Sequence, residues 1–293
     1  MTIFETQFGL VETDASIHTG LPATVISSWG SSGSGKTTLA INLGFELASL
    51  GKKTLVVDAD SYSPSLSAAL GITDPGPGIL AAVRLARQGR LDWQEIERLA
   101  KHLEFEKHEL WLLPGLSSPG RWAELDETGL KVLVEVLAEQ FDFLVFDLNS
   151  NLEQGIYSPG SSVSRNQATR TLMSLAAVNL GLFLADPVGV NRYLFDIRQL
   201  AVEVLPVANR VRSQVLGKQP DRQLKDVLQR LAGLQLNHLL PEDMQAADQA
   251  LAKGQPFCVS SKGSKLREGI RGLALSLLDP DSAKLQNRGS DRR

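Results

Sequence analysis

Eight consecutive residues, Gly30-Ser31-Ser32-Gly33-Ser34-Gly35-Lys36-Thr37, constrain this chain more than any other feature. They fit the pattern G-x-x-x-x-G-K-[ST], whose four fixed positions arise by chance in roughly one chain of this length in a hundred. The flanks narrow it further. An apolar run over residues 23–28 predicts a strand ending just before Gly30, and Leu39, Leu43, Leu47 and Leu50 follow at helical spacing with Gly51 as the stop. A glycine-rich turn there lets backbone N–H groups face inward around phosphate oxygens, and the helix N-terminus adds partial positive charge. On this reading Gly30, Ser31, Ser32, Gly33, Ser34, Gly35, Lys36, Thr37 and Thr38 bind a nucleotide. Lys36, both binding and catalytic, reaches the β- and γ-phosphates, and the Thr37 hydroxyl ligates Mg²⁺. A plain Gly/Ser turn is the bland alternative, and the spacing and flanks together weigh against it.

Beyond the loop, short apolar runs alternate with longer helical ones, the signature of a parallel α/β sheet. Strands are expected at 23–28, 54–57, 109–113, 143–146, 179–185, 204–208 and 235–239. Helices are expected at 36–50, 78–88, 93–103, 130–140, 167–177, 191–201, 221–231, 244–252 and 265–278. The implied architecture is three-layered: a mostly parallel twisted sheet with helices on both faces. Residues 1–20 read as a poorly ordered arm, 21–278 as one domain, and 279–293 as a polar tail. Residues 150–164, rich in Ser and Gly, form the longest irregular stretch, and a loop that long in a compact domain is often functional.

Three aspartates, Asp58, Asp60 and Asp147, fall at the C-terminal ends of apolar strands. Ligands of open α/β sheets bind at that edge. Carboxylates meeting a triphosphate there have an obvious task, organising Mg²⁺ and its waters, so Asp147 and Asp60 join Thr37 as candidate metal residues. Any one of them alone would read as a turn or helix-cap residue. Asp58 fits a turn-supporting role as well as a metal role.

Composition bounds the function from outside. The net charge of −3 provides no global positive field to recruit nucleic acid or anionic lipid. Cys258 is the only cysteine, so it forms no internal disulfide and cannot hold a zinc or an iron–sulfur cluster alone. Residues 1–20 are polar and acidic, unlike a signal peptide, and no stretch reaches about 18 uninterrupted apolar residues. The cytoplasm is the expected location.

The loop, together with Val57-Asp58-Ala59-Asp60 and Phe146-Asp147, resembles the MinD/ParA group of deviant Walker ATPases, closest to its CpaE/TadZ-like branch. The likeness runs from about residue 23 to 278 and includes Ala185-Asp186-Pro187-Val188-Gly189, Ala208-Asn209-Arg210, Leu240-Pro241-Glu242-Asp243 and Ser264-Lys265-Leu266-Arg267. The resemblance implies a slow ATPase that forms a nucleotide-dependent homodimer and positions a pilus or secretion apparatus, held at the membrane or cell pole through partners. It implies that Asp60 is catalytic and positions the attacking water, that Asp147 holds Mg²⁺ through a water, and that switch II follows Asp147. It implies that Asn209 hydrogen-bonds adenine with Pro241 beside the base. The segment after Asn209, Arg-Val-Arg, lacks the aspartate that reads guanine, so ATP is favoured over GTP. Two positions depart from the family. Its signature lysine, which reaches across the dimer, is Ser31 here, and the proline expected two residues after Asp147 is Asn149. A cation supplied across an interface can contribute about 10³–10⁵ in rate. Arg165 or Arg170, just after the Ser/Gly stretch, are candidate substitutes.

Other readings are weaker. Leu266, Ile270, Leu273 and Leu277 form a stripe that fits either membrane insertion or core packing, and the polar tail after it favours the core. Arg210, Arg212, Lys218, Arg222, Lys225 and Arg230 lack the interleaved aromatics of a nucleic-acid surface, which disfavours a ParA-like partition role on DNA. A small-molecule kinase or ligase needs a second set of acid/base residues, and His18, His102, His108 and His238 are scattered. A non-hydrolysing ATP-binding scaffold remains open because of Ser31 and Asn149.

Overall fold

A strand buried on both faces must be apolar at most positions, and the central runs of this chain meet that demand, with the few buried polar side chains such as Ser27 and Asn179 hydrogen-bonded to each other. Alternate residues then feed opposite cores: Val25 faces one and Ile26 the other, as do Leu144 and Val145. Each such side chain contributes about 1.5–3 kcal/mol when fully buried.

The computed structural model describes residues 20–153 and 164–278. The expected arm, most of the Ser/Gly stretch and the tail lie outside the described residues. The strands are β1 (Thr24–Gly30), β2 (Thr54–Ala59), β3 (Lys101–Phe105), β4 (His108–Leu113), β5 (Phe143–Leu148), β6 (Val178–Leu184), β7 (Leu205–Val211) and β8 (His238–Pro241). They form one sheet in the order β3-β4-β2-β5-β1-β6-β7-β8. All neighbours are parallel except β3, which runs antiparallel to β4.

The helices up to the middle of the chain are α1 (Lys36–Ser49), α2 (Leu66–Ala69), α3 (Gly78–Arg87), α4 (Trp93–Leu99), α5 (Glu127–Ala138) and α6 (Gln167–Leu175). Then come α7 (Pro187–Ile197), α8 (Ser213–Leu216), α9 (Pro220–Ala232), α10 (Met244–Lys253), α11 (Phe257–Ser260) and α12 (Lys265–Leu278). One apolar core gathers residues of α1, α11 and α12, and the other those of α3, α5, α6, α7 and α9. The three-layer expectation is met.

Two sequence expectations need correction. The helix expected over 93–103 stops at Leu99, and Lys101–Phe105 forms the edge strand β3. Its alternation of half-buried and exposed residues has the period of a strand. The turn to β4 is Glu106-Lys107, with Phe105 paired to His108 and Glu106 at a φ of 60°. That turn carries none of the Asn-Gly or Asp-Gly signals that mark a hairpin in sequence. The helix expected over 191–201 starts earlier, at Pro187, because Asp186 caps it by accepting from Gly189 N at 2.7 Å.

The stripe on α12 belongs to the core, with Ile270 and Leu273 essentially inaccessible. No described helix is long and apolar enough to cross a membrane. The loosely basic stretch is partly neutralised within the chain, with Arg212 on Glu242 at 3.2 Å and Arg222 near Asp226 at 3.8 Å.

A buried carboxylate ties α12 to α1. Glu46 accepts from Arg267 Nε at 2.7 Å and from Arg271 Nη1 at 2.9 Å, with its side chain 2% exposed. Removing both arginines leaves that charge uncompensated, which costs about 3–5 kcal/mol for a buried pair. The combined variant Arg267→Met, Arg271→Met is therefore expected to lose stability of that order in urea unfolding, and adding Glu46→Gln is expected to restore most of it.

Candidate functional site

Sheet order places the candidate residues together. β1 lies between β5 and β6, and β2 lies on the far side of β5. Parallel register then pairs Asp147 with Ser28 on one side and with Asp58 on the other. The loop leaving β1 and the acidic ends of β2 and β5 therefore share one edge.

The loop's shape requires its glycines. Gly30 has a φ of 153°, and a Cβ there would stand 2.1 Å from the Leu182 carbonyl oxygen. Gly35 has a φ of 97°, and a Cβ there would stand 2.4 Å from Asn209 Nδ2. Only a residue without a side chain reaches these conformations against those neighbours. Within the loop, Ser31 is half-buried, Ser32 and Gly33 are exposed, and Ser34 is buried with its Oγ unpartnered. Thr38, on the first turn of α1, is exposed.

Lys36 is buried, and its Nζ donates to Ser150 Oγ at 2.8 Å. Burial lowers its pKa, opposed by the negative charges of Asp147 and Asp60. Thr37 Oγ1 donates to Asp147 Oδ2 at 2.7 Å and lies 3.3 Å from Ser65 Oγ. The other oxygen, Asp147 Oδ1, is buried without a hydrogen-bond partner. Burial raises the pKa of Asp147, and the charge of Asp58 raises it further, against the Thr37 hydrogen bond and Lys36. Asp58 is raised by burial too, although backbone N–H groups of Leu66, Asp60 and Ser65 hydrogen-bond its carboxylate. A site that buries two carboxylates beside one ammonium favours a further cation.

Asp60 is half-buried, and its Oδ1 accepts from the backbone of Tyr62 at 2.8 Å and of Ser63 at 2.9 Å. Its carboxylate faces its own turn while its charge is felt at Lys36 and Asp147. Asn209 lies within β7, donating from Nδ2 to the Ser34 carbonyl at 2.7 Å and accepting from Arg210 N at 2.8 Å. Pro241, expected in a loop, closes β8 and pairs with Val211. Arg165 donates to the Ser61 carbonyl, and Arg170 lines a separate hollow with Leu152, Thr171 and Met173.

Sequence reasoning missed Ser61, Ser65 and Ser150. Serines are common in turns, and only the meeting of the β1, β2 and β5 loops gives these three a shared place. Asn149, noted in sequence only as a departure, is buried and donates to Ser61 Oγ at 3.2 Å and Thr169 Oγ1 at 2.5 Å.

Residues 27–257 match the CobQ/CobB/MinD/ParA nucleotide binding domain. The chain is 25% identical over 251 residues to the septum site-determining protein MinD of Synechocystis sp., covering 81% of this chain and 82% of the relative. It is 26% identical over 264 residues to MinD of Bacillus subtilis, covering 90% and 91%. Among solved structures, a ParA family ATPase from Chlorobium tepidum superposes with a TM-score of 0.71 at 16% identity, over 87% of this chain and 99% of that one. MinD from Pyrococcus horikoshii, complexed with Mg-ADP, superposes with a TM-score of 0.67 at 20% identity, over 89% and 98%. The family match spans the phosphate loop, all three strand-end aspartates and the Asn209 strand, and with it this chain belongs to the MinD/ParA class of nucleotide-binding P-loop ATPases.

Proposed function

We propose that this chain binds ATP·Mg²⁺, hydrolyses it slowly and uses the nucleotide state to control a homodimer that positions a protein partner. The observation that carries this reading is the Lys36 ammonium, desolvated beside Asp147 and hydrogen-bonded, among the described residues, to the hydroxyl of Ser150. A phosphate oxygen is a stronger acceptor than a serine hydroxyl. Lys36 then moves from Ser150 to the β- and γ-phosphates.

Gly30, Ser31, Ser32, Gly33, Ser34, Gly35 and Thr38 form the rest of the phosphate cradle in this reading. Asn209 keeps a second amide N–H for adenine, with Pro241 near the base. The orphaned Asp147 Oδ1 beside the Thr37 hydroxyl fits a divalent cation, so Thr37 and Asp147 would hold Mg²⁺ with Asp60 nearby. The ion would neutralise charge on the β- and γ-phosphates. Asp60, set by its own turn, orients the attacking water.

The ATPase unit is residues 21–278. The resemblance to CpaE/TadZ-like proteins points to a pilus or secretion apparatus as the partner, with a cytoplasmic protein reaching the membrane or pole through that partner. A non-hydrolysing scaffold is the second reading. It is favoured by Ser31 at the position of the trans-acting lysine and by the commitment of Arg165 within its own chain.

Lys36→Ala is expected to abolish turnover and to raise the Kd for ATP at least about tenfold, since a charge-assisted hydrogen bond contributes about 1.5–3 kcal/mol; filter binding and phosphate release measure both. Sedimentation is expected to shift from monomer to dimer on adding ATP·Mg²⁺, and equal profiles with and without it would exclude the switch. Measurable wild-type turnover that vanishes in Asp60→Ala rules out the scaffold. Burial and mutual repulsion raise the pKa of both Asp147 and Asp58, so a divalent cation that binds this pair is expected to displace protons. Calorimetry of Mg·ADP binding near neutral pH is thus expected to show proton release, through enthalpies that depend on the buffer, and Asp147→Asn is expected to remove it.

A further inference from the structure

Ser61 is fully buried at the meeting point of the segments that follow β2 and β5. Its carbonyl accepts two hydrogen bonds from Arg165, from Nη2 at 2.8 Å and Nε at 3.2 Å. Its hydroxyl donates back to the Arg165 carbonyl at 3.1 Å and accepts from Asn149 Nδ2 at 3.2 Å. The guanidinium also lies over the Tyr62 ring, 4.0 Å from its centroid. Asn149 is fixed in turn by Thr169 Oγ1 and by the backbone N–H of Asn151, 2.8 Å from its Oδ1.

These contacts lie one residue from each half of the site. Asp60 precedes Ser61, and its carboxylate is held by the amides of the same turn. Ser150, the partner of Lys36, follows Asn149. We propose that Arg165 is a positioning residue: its fork on the Ser61 carbonyl fixes the turn that aims Asp60 and couples that turn to the segment where Ser150 holds Lys36. The inference rests on the reading of Asp60 as the residue that orients water. When phosphate draws Lys36 away from Ser150, the neighbouring Asn149 transmits the change to Ser61, and Arg165 decides how firmly the Asp60 turn follows. With Nε and Nη2 engaged inside its own chain, Arg165 serves here in place rather than as a cation reaching across a dimer.

The geometry is specific to arginine. A planar fork can place two N–H donors on one carbonyl while stacking on a ring, and an ammonium can do neither. Lysine at this position keeps the charge and loses the latch.

The test uses the full chain with ATP·Mg²⁺. Arg165→Ala is expected to lower kcat about 10–100-fold, the scale of a misplaced catalytic group, while KM and Mg·ADP affinity stay within about twofold. Arg165→Lys is expected to fall nearly as far. Hydrogen exchange at the Tyr62 and Ser63 amides is expected to accelerate in Arg165→Ala, with α1 unchanged. Unchanged kcat, full rescue by lysine, or a loss of nucleotide affinity matching the loss of rate would each overturn the proposal. If the wild type shows no turnover, the hydrolytic reading fails by itself, and the exchange rates still decide the latch: unaltered protection of Tyr62 and Ser63 refutes it.

Discussion

Burying an ammonium and two carboxylates at the end of one sheet costs several kcal/mol per ion unless each finds partners. The fold supplies those partners through register. Because β5 lies between β1 and β2, Asp147 faces Ser28 and Asp58, and the helix leaving β1 delivers Thr37 and Lys36 to the same place. Asp58 takes three backbone N–H groups and Asp147 takes the Thr37 hydroxyl. One oxygen of Asp147 and the ammonium of Lys36 are left with little beyond each other's field and a serine hydroxyl. In the proposed reading, a polyphosphate and a divalent cation would supply the missing partners.

The same register explains why so much of the site was legible in sequence. A G-x-x-x-x-G-K-T run fixes strand, turn and helix together, and Asp58 and Asp147 close strands whose every side chain is buried. The parallel order of the central strands follows from those apolar runs. The misread parts had no such anchor. β3 is an edge strand whose exposed positions are the polar His102 and Glu104, and Glu106-Lys107 makes its turn without glycine or asparagine. Helix α7 starts ahead of its apolar periodicity, because Asp186-Pro187 supplies a cap and a proline in the first turn within a stretch that also carries the family likeness. Ser61 follows β2, whereas Asn149 and Arg165 lie between β5 and α6, 88 and 104 residues further along the chain, and no local pattern joins them to it.

Helix α1 shows where motion in such a site must reside. Its first turn holds Lys36 and Thr37, its middle is fixed where Asn42 Oδ1 accepts from Phe257 N at 2.7 Å, and its last turns are clamped through Glu46 to Arg267 and Arg271. A helix restrained along its length against α11 and α12 cannot follow a phosphate. The segments after β2 and β5 are different, because several of their polar contacts run to one another. In the proposed switch, exchanging one hydroxyl partner of Lys36 would displace loop against loop while the phosphate cradle stays still, so a rigid binding helix beside two mutually latched loops would let nucleotide occupancy be read at the surface without disturbing the core.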